Sequence, residues 1–258
     1  MPELPDLQVF SANLEKKLKG LTITKVEIPI AKKLNVTKAE VKKALEGSAV
    51  KSIYREGKEL HIDFSNGNTL GLHLMLHGGL DLFQDNNLNK HTIIALFFDN
   101  GSGLALTDWQ NAATPTLNPE AKNAPDALSK EITVAYLKDA LDTRSIIKNV
   151  LIDQKVIRGI GNAYADEILW AAKISPFSIS NKIPETAIKQ LAKSIKTVLN
   201  NAEKQIKKEK PDIISGEVRD FLLIHNAKKK ESPTGGAILQ KTAGGRKTYY
   251  TEEQELYT

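Results

Sequence analysis

The sequence predicts an α+β fold: an N-terminal helix plus an antiparallel β-sandwich, then a helical domain that ends in a β-hairpin. Three observations carry this. Leu7, Phe10, Leu14 and Leu18 recur at helical spacing across residues 2–19, ahead of Gly20. Short apolar runs then alternate with turn signals, Asn66-Gly67 and Asn100-Gly101, and no long helical pattern intervenes to build a βαβ unit. The last half is helical until a glycine pair splits two short β-type runs.

Pro2 and Pro5 sit where the first turn of a helix tolerates them. Val26, Ile28 and Ile30 alternate as a strand does, and the strand texture lasts from Leu21 to about Leu106. Residues 111–129 are rich in Pro and Asn and read as a connection. The expected division is a first domain over 1–115, a linker over 116–129 and a second domain over 130–258. Ile188, Leu191, Ile195, Val198, Ala202 and Ile206 form one long apolar stripe, with Lys189, Lys193 and Lys196 off it. Pro184 opens that helix and Pro211 lies past its end. Ala237–Gln240 and Arg246–Tyr250 flank Ala243-Gly244-Gly245 as a hairpin. There is no internal repeat.

The 258 residues are 41% hydrophobic and 26% charged, which is ordinary globular usage. No apolar run is long enough to span a bilayer, and the N-terminus lacks the basic-then-apolar pattern of a secretory signal. With zero cysteines, disulfides and thiolate metal sites are excluded. The net charge of +5 and pI near 9.1 suit a polyanionic partner without requiring one.

Removal of Met1, which the small neighbouring side chain favours, would make Pro2 the terminal residue. A terminal amine has a pKa near 8, so roughly a tenth of it is unprotonated at neutral pH, against less than about a thousandth for lysine. Such an amine attacks an electrophilic carbon, for example C1′ of a deoxyribose, and yields an iminium. Glu3 beside it is placed to shuttle protons. A retained Met1 would acylate Pro2 and block this. Taken alone, however, Pro-Glu is equally an ordinary start to a helix.

Asp153 to Glu167 contains Gly159-Ile160-Gly161-Asn162. A dinucleotide loop is excluded there, since no strand precedes it and the third glycine is missing. A helix, a tight turn and a second helix opening at Asn162 fit better, and amides at such an N-terminus suit a phosphate. An ordinary helical hairpin fits the spacing as well. Gly244-Gly245-Arg246-Lys247-Thr248 places an arginine fork at a hairpin tip, which suits a phosphate or is simply a solvated turn.

Together these segments resemble the formamidopyrimidine-DNA glycosylase / endonuclease VIII family along the whole chain. Pro2-Glu3-Leu4-Pro5-Asp6 is similar to its Pro-Glu-Leu-Pro-Glu start, and Arg55-Glu56-Gly57-Lys58 to its Arg-x-Gly-Lys motif. The run from His73 to Gly78 matches its His-Leu-x-x-x-Gly strand. Gly159 to Tyr164 with Glu167 match its helix–two-turn–helix signature, and Gly244 to Tyr250 its Gly-Gly-Arg-x-Thr-x-Tyr end. The resemblance implies a catalytic set of Pro2 as Schiff-base nucleophile, Glu3 as acid/base and Lys58. It implies DNA contacts from Lys58, His73, Leu76, Lys148, Asn162 and Arg246 around an extruded nucleotide. The implied protein is a cytoplasmic, nucleoid-associated bacterial monomer acting on damaged or abasic DNA, with no cofactor, no metal and no membrane.

Two departures stand out. The family's four zinc-binding cysteines fall at Glu231, Thr234, Thr251 and Gln254, so the resemblance implies a zincless finger over about 228–258, packed around Ile238 and Tyr249-Tyr250. The family fills the gap left by a flipped base with Met, Arg and Phe. Here the Met place is Leu76, and the Asp-Pro-Arg-Arg-Phe-Gly loop reads Asp108-Trp109-Gln110-Asn111-Ala112-Ala113, with Trp109 or Gln110 as substitutes at hand. The expected activity is N-glycosylase plus β- or β,δ-elimination. The alternatives are a non-catalytic or lyase-only binder of damaged DNA, and a nucleic-acid-binding module without lesion preference.

Overall fold

The first helix, α1 (Leu4–Leu18), starts two residues later than periodicity alone places it. Asp6 is the cause. Its carboxylate accepts the Glu3 amide at 2.8 Å and holds Glu3 in extended backbone as the N-cap. Pro2 and Glu3 therefore stand ahead of the helix. Leu7, Phe10, Leu14 and Leu18 are buried as the periodicity predicts, and sinking a side chain such as Phe10 contributes about 1.5–3 kcal/mol. The computed structural model describes residues 1–243 and 245–258; Gly244, the first glycine of the Gly-Gly-Arg run, lies outside the described residues.

Eight antiparallel strands follow in two sheets. Strands β1 (Ile23–Glu27), β6 (Thr92–Phe98), β7 (Ser102–Thr107) and β5 (Gly79–Gln84) form one, in that order. Strands β2 (Val50–Glu56), β3 (Glu59–Phe64), β4 (Thr69–His73) and β8 (Thr114–Leu117) form the other. One apolar core joins both sheets to α1, with Phe10, Ile62, Phe64, Leu96 and Leu104 in it. This is the sandwich the alternating pattern predicts. A short helix, α2 (Lys38–Leu45), was not expected. Thr37 and Glu40 cap it reciprocally: the Thr37 amide reaches Glu40 Oε2 at 2.8 Å, and the Glu40 amide reaches Thr37 Oγ1 at 3.3 Å.

The segment read as a connection is partly strand. β8 pairs with β4, Leu70 opposite Leu117 and Leu72 opposite Pro115. Pro115 is tolerated because β8 is an edge strand. The Asn35 amide closes that edge, donating to Leu117 O at 2.8 Å and accepting the Leu117 amide at 2.9 Å.

The chain divides into two compact units, Met1–Ala121 with Ile206–Glu217, and Lys122–Gln205 with Val218–Thr258. The return of Ile206–Glu217 to the first unit departs from the expected boundaries. Asn13 explains it, donating to Pro211 O at 2.7 Å and Ile213 O at 2.8 Å, while Ser215 Oγ accepts the Leu80 amide at 3.0 Å.

The second unit carries α3 (Val134–Ala140), α4 (Ile147–Ile152), α5 (Asn162–Ala171) and most of α6 (Glu185–Glu209). The apolar stripe of α6 is buried, with Leu199 taking the inward place that the pattern gave to Val198. The hairpin is β9 (Leu239–Ala243) paired with β10 (Arg246–Tyr250). Among the described residues no helix is long and apolar enough to cross a membrane.

Candidate active site and nucleic-acid interface

In the first unit, Pro2 is buried and Glu3 only 4% exposed, both at the head of α1. The Met1 ammonium pairs with Glu217. Arg55 links this helix to the β2–β3 turn: its Nε donates to Gln8 Oε1 and its Nη1 to Gly57 O, each at 3.1 Å. Gly57 has φ +56°, a left-handed conformation that glycine adopts without strain, and it presents Lys58 half-buried at the turn. The Arg-x-Gly-Lys spacing thus has a mechanical reading. The arginine pins the turn, the glycine makes it and the lysine follows it directly.

His73 ends β4, and its Nδ1 accepts the Met75 amide at 3.2 Å, which leaves the proton of a neutral ring on Nε2. The turn after it closes with the Gly78 amide on Leu74 O at 2.8 Å. A Cβ at Gly78 would lie 2.1 Å from that same oxygen, so no other residue fits. Leu76 projects from this turn at 63% exposure. Trp109, 59% exposed, sets its ring 5.1 Å from that of His77. Buried Asp108 holds the Trp109 loop by accepting the amides of Gln110, Ala112 and Ala113 at 2.8–2.9 Å. Sequence reasoning passed over His77 and the anchoring role of Asp108; an aspartate opening a loop of small polar residues was the available signal.

In the second unit, Asn162 opens α5, and its Nδ2 donates to Lys247 O at 2.9 Å, which ties the helix start to the hairpin tip. Arg246 is exposed beside it in sequence. Lys148 is placed differently from the DNA contact expected of it. It is 3% exposed, pairs with Asp166 at 2.6 Å and donates to Thr248 Oγ1 at 2.8 Å, so it faces the hairpin from within. Asp166 also accepts the Tyr249 amide at 2.9 Å and pairs with His225 Nδ1 at 2.7 Å. Glu167 accepts the amides of Leu223, Ile224 and His225 at 2.7–3.0 Å. Burial pushes its carboxyl above the ordinary range, against the pull of those three amides. Pro2, Glu3, Lys58, His73 and Leu76 thus belong to one unit, and Lys148, Asn162 and Arg246 to the other.

Residues 1–114 match the family model described as the formamidopyrimidine-DNA glycosylase N-terminal domain, and residues 124–212 the one described as its H2TH domain. The chain belongs to the formamidopyrimidine-DNA glycosylase family. By class it is an enzyme, a DNA glycosylase of base excision repair. A formamidopyrimidine-DNA glycosylase of Pelotomaculum thermopropionicum is 32% identical over 270 residues, with 97% of each chain covered. One from Carboxydothermus hydrogenoformans is 36% identical over 204 residues, covering 77% of this chain and 76% of its own. The Lactococcus lactis Fpg solved in complex with DNA containing an abasic site is 26% identical, with a TM-score of 0.87 over 98% of this chain and 100% of its own.

The zinc that the family's four cysteines bind does not fit this chain. Its four ligand places hold Glu231, Thr234, Thr251 and Gln254, and among the described residues no group of three or more His, Cys, Asp or Glu could hold a metal ion. Thr251 and Gln254 are buried and bonded instead, the Thr251 amide to Gln254 Oε1 and Gln254 Nε2 to Ile174 O, each at 2.8 Å.

Proposed function

We propose that the protein is a bifunctional glycosylase and abasic-site lyase with the amine of Pro2 as nucleophile. Once Met1 is removed, the Pro2 nitrogen forms a bond to C1′ as the C1′–base bond breaks, and Glu3 relays the proton that the sugar oxygen or departing base requires. At a pre-existing abasic site the leaving group is water. The C1′–O4′ bond then breaks, with a proton delivered to O4′, and the nitrogen lone pair forms the iminium. That iminium makes the C2′ proton acidic, and its loss expels the 3′ phosphate (β-elimination); where the reaction goes on to δ-elimination, the 5′ phosphate leaves as well. In the first unit Lys58 and His73 hold phosphates beside the extruded sugar and Leu76 enters the vacated stack; in the second unit Asn162 and Arg246 hold phosphates of the DNA, and Lys148 supports the hairpin from beneath.

The observation that carries this reading is the pairing of Pro2 with the buried carboxylate of Glu3 ahead of α1, in a chain of this family. Borohydride trapping on abasic duplex tests it, because only an iminium is reduced to a stable cross-link. Protein with Met1 removed, confirmed by intact mass, is expected to cross-link, whereas Pro2→Gly and Glu3→Gln lose most of the product and keep DNA affinity. Undiminished trapping by processed protein whose terminal amine has been blocked by acetylation would give the chemistry to another amine, with Lys58 the first to test. No trapping by the processed wild type would leave a non-catalytic binder.

A further inference from the structure

Glu253 belongs to no sequence motif, yet donors from three segments converge on its carboxylate. Oε2 accepts Ser232 Oγ at 2.7 Å, Thr251 Oγ1 at 3.1 Å and Trp170 Nε1 at 3.3 Å. Oε1 accepts the Thr234 hydroxyl, and Lys173 Nζ lies 3.8 Å from it. Ser232 and Thr234 precede β9, Thr251 directly follows β10, and Trp170 sits on the last turn of α5. Thr234 and Thr251 are two of the four places where the family sets zinc ligands. One carboxylate therefore joins the two sides of the hairpin that a metal would otherwise join.

The surroundings are shaped to the carboxylate. The Gly236 amide donates to Ser232 Oγ at 3.0 Å, which occupies a lone pair of that oxygen and leaves its proton for Glu253. A Cβ at Gly236 would lie 2.5 Å from Glu253 Oε2, so the glycine is needed for the approach. Ionised, the carboxylate accepts at both oxygens, and the donors here are hydroxyls and an indole N–H that bond an anion more strongly than a neutral acceptor.

We propose that Glu253 is the positioning residue of the finger: its carboxylate clasps both ends of the β9–β10 hairpin to α5 in place of a metal and so fixes the strand that carries Arg246. The consequence for DNA rests on the function proposed above. The test compares full-length wild type with Glu253→Gln and with Ser232→Ala/Thr234→Ala, which removes two donors but keeps the charge.

Hydrogen exchange of hairpin peptides, without DNA, is expected to quicken at least about tenfold in both variants while the interior of α6 is unchanged. Affinity for duplex containing a tetrahydrofuran abasic analogue should fall at least about threefold, with the trapping rate at saturating abasic DNA within about twofold of wild type. A hairpin that exchanges at the wild-type rate in both variants overturns the clasp. So does equal acceleration of hairpin and α6, which would assign Glu253 to global stability. Faster hairpin exchange with unchanged affinity overturns the positioning of Arg246. Failure of wild type to trap abasic DNA at all would count against the proposed function alone, since the exchange measurement does not depend on it.

Discussion

Lys148 and Asp166 form an ion pair of 2.6 Å in which neither side chain is more than 4% exposed. α4 supplies the cation and α5 the anion, and both partners also bond the hairpin, Lys148 at Thr248 and Asp166 at the Tyr249 amide. Removing one member of a buried pair leaves the other charge without compensation, at about 3–5 kcal/mol. Lys148→Met should lose that much on denaturant unfolding. In a double-mutant cycle, Lys148→Met with Asp166→Asn should lose less than the two singles summed. Strict additivity would show that the pair does not couple the helices to the hairpin.

The Glu253 carboxyl is held down to about 2 from an ordinary 4.5, first by the Thr234 hydroxyl and then by Ser232, against the opposing effect of burial. A depressed folded-state pKa contributes stability that is fully present above the unfolded value and fades as pH falls through the folded one. The contribution should thus be constant above about pH 5 and be lost between 4.5 and about 2. Lys173 is the charged neighbour facing the group. Urea midpoints of wild type and Glu253→Gln, measured across pH 6 to 2, should converge at the acid end. Parallel profiles would mean that the carboxylate is not what titrates.

Arg246 is exposed at the hairpin tip, and Asn162 bonds the backbone of the next residue. If both face one stretch of phosphates, Arg246→Ala removes one counterion-releasing contact. The slope of log K against log salt should flatten by about one. Titrations of a fluorescent abasic-analogue duplex over a salt series would show it. An unchanged slope in a folded variant would place the hairpin tip away from DNA.

The two-part fold was legible because its signals are periodic or punctuated. The α6 stripe ran from Ile188 to Ile206, about five turns, and turn dipeptides separated the strands. α2 escaped because eight residues carry too little periodicity, although Thr37 and Glu40 spelled its capping box. β8 escaped because Pro115 and the neighbouring asparagines read as linker, while an edge strand needs hydrogen bonds on one side only. Among site residues, those in ordered motifs were visible, and their surroundings were not. Lys148 looked like any basic residue near a DNA-binding turn, and only the fold shows Asp166 and Thr248 against it. Glu253 could not be found at all, because Ser232, Thr234 and Trp170 meet it from distant parts of the chain and Thr251 alone lies near it in sequence.

The remaining prediction concerns the base opposite the lesion. Leu76 and Trp109 are the most exposed apolar side chains on the Gly78 turn and the Asp108 loop, with Met75 beside Leu76 at 37% exposure and His77 against the indole. Neither Gln110 nor Asn111 carries the charge of the arginine found there in the family, and Ala112 has no ring to insert. Extruding a base costs a few kcal/mol, least when it is mismatched, missing or already unstacked. With an aliphatic wedge in the duplex and no guanidinium to read the orphaned base, the enzyme recovers less of that cost. Abasic and single-stranded sites should therefore outpace a paired 8-oxoguanine, with little preference among the four opposite bases. An indole stacks on any base, so Trp109→Ala should slow excision from duplex by about tenfold, close to one stacking contact, and leave abasic cleavage nearly unchanged. Single-turnover rates on 8-oxoguanine opposite each base, beside an abasic control, decide the matter. A strong preference for cytosine at rates matching the abasic site would show that another side chain reads the partner base.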